Sequence, residues 1–260
     1  MVTPAGAILL GYGGSQHSKI ALAWADTLAA QLSRPLHVLL SVLHLSGVAD
    51  SPQLLRAGRI TDELTGLLDS AKAQQTSVTN LLNPPGEALV RESRNAYITV
   101  LGARTQGPLK SMVNGSVSQY VARHAASPVV AVREPLTRHT GVIVVGVDGS
   151  EKSELALKFA IRHAQDTDGR LLVLHIRHSR DDAADMKVNE SIAAAEINGD
   201  VSVEVKHVLG SAAEKLAGAS SEADLLVVGT RGRSPLTSLM LGSVTQSLLQ
   251  HSQCPVAVVR

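Results

Sequence analysis

Gly229-Thr-Arg-Gly232-Arg-Ser-Pro-Leu-Thr-Ser-Leu-Met-Leu-Gly242-Ser243 follows an apolar run, Ala223-Asp-Leu-Leu-Val-Val228, that reads as a buried strand. Beyond it a helix is expected to begin at Gly242-Ser243-Val244. A strand, a glycine-punctuated loop and a helix start aim backbone N–H groups and the positive end of a helix dipole at one place. Phosphate is the natural occupant of such a place. The spacing is Gly-x2-Gly-x9-Gly-Ser. It is not the P-loop pattern, since no Gly-Lys-Ser/Thr occurs in it, and it is not Gly-x-Gly-x-x-Gly.

The same stretch occurs earlier in the chain in altered form. Residues 83–133 align with 210–260 without a gap, and 19 of the 51 positions are identical. Glu87 matches Glu214, Gly102 matches Gly229, Arg104 matches Arg231, and Gly115-Ser116-Val117 matches Gly242-Ser243-Val244. The beginnings correspond as well: Ala7-Ile-Leu-Leu-Gly-Tyr-Gly-Gly-Ser15 resembles Val142-Ile-Val-Val-Gly-Val-Asp-Gly-Ser150. Two copies make a domain duplication and not a solenoid. Domains over 1–134 and 141–260 are expected, joined by a short polar linker at 135–140.

Each copy alternates strand and helix. In the first, strands are predicted at 8–10, 36–43, 77–82, 98–101 and 129–132. Ser15 or Ser18 caps the first helix, whose Ala21, Ala25, Leu28, Ala29 and Leu32 recur at helical spacing with Trp24 among the core residues. A second helix is expected within 51–75. The second copy repeats the order with strands at 142–147, 171–176, 201–208, 224–228 and 256–259. The fold class is therefore α/β: two tandem domains, each a five-stranded parallel sheet with helices on both faces, with ligands at the carboxyl ends of the strands. Asn83 and Gly210, in the same slot of the two copies, predict a tight turn. The closing strands, 128–133 and 255–260, are apolar up to their final Arg and would be hazardous at an open edge, so they are expected to pair the two halves as an internal pseudo-dimer.

Composition removes several classes of function. Hydrophobic residues at 44% and charged residues at 18% support a packed core. With 2% aromatics and a net charge of +1 there is neither a stacking platform nor a basic field for nucleic acid. No apolar run reaches membrane-spanning length, and the start lacks the basic flank of a signal peptide, so no membrane insertion and a cytoplasmic location are expected. Cys254, the single cysteine, reads as a small buried residue.

The Val-Gly-Val-Asp148-Gly-Ser start, the Gly229-x2-Gly232-x9-Gly242-Ser243 loop and the Cys254-Pro-Val-Ala-Val-Val259 ending together resemble the universal stress protein family, in a tandem form spanning nearly the whole chain. The resemblance implies a Rossmann-like fold of the adenine-nucleotide-binding type. It implies that Gly229, Gly232, Gly242, Ser243 and the adjoining Val244 hold phosphates and ribose. Asp148 would meet a ribose hydroxyl, and Ile176 would contact adenine through its backbone. Arg231 is a candidate phosphate contact, with a structural role as the alternative because Arg104 matches it. The first copy has Gly13 in place of Asp148 and Thr105 in place of Gly232, so a single nucleotide site is expected, in the C-terminal half.

The remaining candidates read as structural. His175 closes a buried strand, His124 and His251 sit near helix ends, and His37, His44, His178 and His207 show no metal-ligand spacing with a carboxylate or Cys254, so no metal site is expected. Asp148 could serve as a helix cap instead of a ligand contact. The functional expectation is an ATP-binding stress-response switch or adaptor, with AMP, ADP or cyclic AMP as alternative ligands, magnesium accompanying ATP, and an unidentified protein partner or second copy. The rivals are a slow ATP hydrolase and a nucleotide-free interaction module. The loop holds no Lys and has no paired carboxylates beside it, so turnover is expected below roughly 1 s⁻¹.

Overall fold

The structure is a computed structural model that describes residues 2–41, 52–81, 84–103, 116–136, 138–177, 182–195, 201–230 and 241–260. The chain divides into two compact units, one ending at residue 133 and the other beginning at 134. The first contains β1 (Ala7–Tyr12), α1 (Gln16–Gln31), β2 (Leu36–Ser41), α2 (Pro52–Leu68), β3 (Thr76–Leu81), α3 (Pro85–Glu92), β4 (Ala96–Gly102), α4 (Ser116–His124) and β5 (Val129–Val132). The second contains β6 (Val142–Val147), α5 (Glu151–Thr167), β7 (Arg170–Arg177), α6 (Asp182–Ala194), β8 (Val203–Leu209), α7 (Ala212–Ala219), β9 (Leu225–Gly229), α8 (Ser243–His251) and β10 (Val256–Val259).

Both units carry the predicted parallel sheet. The first has the order β3-β2-β1-β4-β5, and the second repeats it as β8-β7-β6-β9-β10. In each, the chain works outward from the first strand and then crosses to its other side. The crossing leaves a crevice at the carboxyl ends of β1 and β4, and of β6 and β9, where open α/β sheets take ligands.

The core follows from the spacing of small and branched apolar residues. Ala21, Leu22, Ala25, Leu28 and Ala29 of α1 are buried, and so are their counterparts Ala156, Leu157, Ala160, His163 and Ala164 of α5. Alanines on this face let each helix lie close over the strands. Trp24, expected in the core, is only half-buried because it stands on the flank of that stripe. Asp26 stands at the position of Ile161, fully inside the helix-sheet contact, and its carboxylate accepts from Lys72 N at 2.9 Å and Ala73 N at 2.9 Å. That anchorage holds the turn after Leu68, where α2 ends inside the 51–75 window expected from sequence.

Several expected details are present. Ser15 caps α1, accepting from Ser18 N at 3.2 Å, and the Ser18 hydroxyl in turn donates to the Ser15 carbonyl at 2.7 Å. Gly210 turns at φ +134°, whereas Asn83 lies outside the described residues. His124 Nδ1 lies 2.7 Å from Tyr120 O and His251 Nδ1 lies 2.9 Å from Ser247 O, each one turn back at a helix end. Cys254 is buried, and burial pushes its thiol up to about 12. Among the described residues no helix is long and apolar enough to cross a membrane.

Candidate functional site

The crevice of the second unit is built from three chain ends: the turn after β6, the last residues of β7, and the junction of β9 with α8. At the first, Ser150 caps α5 by accepting from Ser153 N at 3.3 Å, and the Ser153 hydroxyl donates to the Ser150 carbonyl at 2.8 Å. Asp148 is not the cap. Its Oδ1 accepts from Ser150 N at 3.0 Å, closing an Asx turn that orients the carboxylate at the end of the strand. In the first unit Ser15 and Ser18 build the same cap with Gly13 where Asp148 stands. The carboxylate is therefore not needed to start the helix.

Gly229 has a structural reason of its own. A Cβ there would lie 2.9 Å from the carbonyl carbon and oxygen of Lys152, in the first turn of α5. At Gly102 a Cβ would lie 2.5 Å from the same atoms of His17. Close approach of strand end and helix start accounts for glycine at both positions without a ligand.

The junction with α8 is tightly specified. Thr230 N donates to Val259 O at 2.8 Å, and Thr230 O accepts from Gly242 N at 2.8 Å. Buried Thr245 donates its hydroxyl to Gly229 O at 2.9 Å, and the Gln246 amide donates to Leu241 O at 2.9 Å. Gly242 is the N-cap of α8 and has no side chain to satisfy the helix start. Ser243, Val244 and Thr245 follow it as the first three helical residues, whose N–H groups have no partner within the helix. Ser243 is exposed and Val244 half-buried. The fold thus pins a helix N-terminus to the end of β9, and among the described residues no side chain caps it. Sequence reasoning missed Thr245, although Ser118 supplies a hydroxyl at the matching position.

Ile176 is the penultimate residue of β7, opposite Val208 on β8. Asp148, Ile176, Gly229, Gly242, Ser243 and Val244 all belong to the carboxyl edge of one sheet or to the helix that follows it. Arg231 and Gly232, like Arg104, Thr105 and Gly115 of the first copy, lie outside the described residues. One expectation is corrected. His207 does have a carboxylate within ligand distance, Asp185, and a second imidazole, His175, because strand register and α6 bring together residues far apart in sequence. His175 itself is buried, as expected.

Comparisons agree with this architecture. The profile described as "Universal stress protein family" matches residues 5–133 and 140–260. The chain is 28% identical to universal stress protein Rv2005c of Mycobacterium tuberculosis, covering 97% of this chain and 96% of that protein. It is 32% identical to universal stress protein Rv2623 of the same species, over 66% of this chain and 64% of that one. The crystal structure of a universal stress protein from Archaeoglobus fulgidus superposes with a TM-score of 0.75 at 22% identity, covering 96% of this chain and 97% of that one, a likeness of fold.

Proposed function

The chain belongs to the universal stress protein family as a tandem member, and on that premise we propose that its C-terminal half binds one adenine nucleotide, ATP foremost, whose occupancy sets the state of a stress-response switch or adaptor. The observation that carries this reading is the start of α8. Among the described residues it has no side-chain cap, it is fixed to the end of β9 through the Thr230 carbonyl, and β9 runs beside β6, whose carboxyl end carries Asp148. N–H groups at a helix start are suited to phosphate oxygens. Gly242 lets the phosphates come close to the backbone, and the Ser243 hydroxyl adds a donor. Arg231 and Gly232, in the intervening loop, would complete the cradle, with magnesium accompanying ATP. A carboxylate accepts at about four lone-pair sites, so the Asx turn of Asp148 is compatible with a ribose hydroxyl. Ile176 would meet the base through its backbone. The bound group would supply a signal, and turnover would stay below roughly 1 s⁻¹.

Gly13 and Thr105 remove an acceptor and a glycine from the first copy, so one nucleotide per chain is expected. Denaturing freshly purified protein and quantifying released adenine nucleotide tests the reading. A ratio near one, lost in Gly242→Asp and kept in Gly115→Asp, is the expected result. A ratio near two would overturn the assignment to a single half. No nucleotide, and no uptake of added ATP, would leave an interaction module.

A further inference from the structure

Strands β7 and β8 pair in register with His175 directly opposite His207. Helix α6 lays Asp185 across them, and the three side chains converge on one point. His175 Nδ1 lies 3.0 Å from Asp185 Oδ1, His207 Nδ1 lies 3.2 Å from the same oxygen, and the two Nδ1 atoms are 3.2 Å apart. His175 is buried and the other two are half-buried.

The proton count shows what this point lacks. His207 Nε2 is 3.2 Å from Asn189 Oδ1. With the amide oxygen toward it Nε2 donates, and in that tautomer the Nδ1 atom of His207 presents its lone pair. That lone pair faces the carboxylate oxygen, one acceptor against another at 3.2 Å. His175 can relieve only one contact by donating its own proton. Three potential donor atoms thus face one another at one point, the arrangement that a shared metal ion takes up.

The geometry points to a metal ion, and we infer that His175, Asp185 and His207 form a site for a zinc-class divalent cation. At metal–ligand distances of about 2.0–2.1 Å, the ligand atoms on one face of a tetrahedron stand about 3.3 Å apart and those on one face of an octahedron about 3.0 Å apart. The observed edges of 3.0, 3.2 and 3.2 Å form such a face. Two imidazoles and one carboxylate are the donor set of zinc and of the neighbouring first-row ions, with the remaining position left to water. Outer partners are in place: Asn189 sets the His207 tautomer, and Arg177 pairs with Asp185 Oδ2, leaving Oδ1 to bind through one oxygen. The ion would clamp α6 onto the outer strands of the second sheet. The first copy keeps the register, with Leu40 opposite Asn80, and so has no imidazole at either strand position. One site per chain is therefore expected, whether or not nucleotide is bound.

The test uses full-length, tag-free chain, stripped of metal and nucleotide and titrated with Zn²⁺ alone. Saturation at one equivalent is expected, with a rise in Tm. Asp185→Asn, nearly isosteric, and His207→Ala should each weaken binding tenfold or more, Asn189→Ala by about tenfold, and His124→Ala not at all. Zn²⁺ should move the imidazole NMR signals of His175 and His207 and of no other histidine. Absence of a saturable site would overturn the inference in favour of a protonated hydrogen-bonded triad, and so would a site indifferent to Asp185→Asn.

Discussion

His163 makes the pH dependence of stability calculable. It lies on the inner face of α5, 4% exposed, stacked on Phe159 with ring centroids 5.6 Å apart. Burial, opposed by the nearby Asp166 carboxylate, lowers its pKa from 6.5 to about 4. Above pH 6.5 the imidazole is neutral in both the folded and the unfolded chain, and its contribution does not change. Below that, the unfolded chain takes up a proton that the folded protein refuses until about pH 4. Stability therefore falls as pH drops through this window, by about 1.4 kcal/mol per pH unit and about 3 kcal/mol in all. At about 2–4 °C per kcal/mol this is roughly 6–12 °C in Tm. The repeat supplies the control. Leu28 occupies the matching place in α1 and is buried, so His163→Leu offers a shape this fold already accommodates. Urea unfolding of both proteins from pH 7.5 to 4 should give curves that diverge below 6.5, with the variant losing less. Parallel curves would refute the reasoning, because every other titrating group is common to both.

Three further outcomes are expected. Gly102→Ala and Gly229→Ala should each destabilise by about 1–3 kcal/mol, because the new Cβ meets backbone of α1 or α5; an unchanged Tm for Gly102→Ala would show that the strand end can move aside. Asp26→Ala should cost about 1–3 kcal/mol for each backbone N–H it strands at Lys72 and Ala73, and hydrogen exchange at those two amides should quicken. Asp148→Asn keeps an oxygen for Ser150 N, so Tm should stay within about 0.5 kcal/mol of wild type. If the nucleotide reading holds, retention should fall about tenfold, the size of a lost charge-assisted hydrogen bond.

The fold was legible because it is written in local signals. Apolar runs bounded by glycine and serine gave the strands, and the alternation with helical spacing gave the parallel order. The candidate crevice was legible in outline only. Gly229 was read as a phosphate contact, yet its missing side chain is already required where β9 passes under α5. Asp148 was read as either a ligand or a cap, and the structure gives the capping role to Ser150 instead. What sequence could not reveal depends on register. His175 and His207 are neighbours only because β7 and β8 pair without slippage, and Asp185 joins them because α6 crosses both strands. Asp26 was hidden for a similar reason: its partners, Lys72 and Ala73, come from a turn far along the chain.

The duplication separates what the fold requires from what a ligand would require. Both copies keep the glycine under the first helix, the serine cap, and a buried strut in which Ser93 accepts from Ala126 N and Ser220 from Gln253 N, each at 2.9 Å. Each of these has a mechanical reason visible in both units, so its retention carries no information about binding. The differences that bear on ligand chemistry are Gly13 against Asp148, Thr105 against Gly232, Leu40 against His175, and Asn80 against His207. None of these changes is needed to close a helix or pair a strand, since the first unit does both without them. At three of these positions the second copy holds a donor or acceptor that the first lacks, or a residue with more room for a close approach; at the fourth, His207 offers an imidazole nitrogen in place of the Asn80 amide. That contrast supports the proposal of ligand chemistry in the second half, and exchanging single residues between the copies is the way to test it.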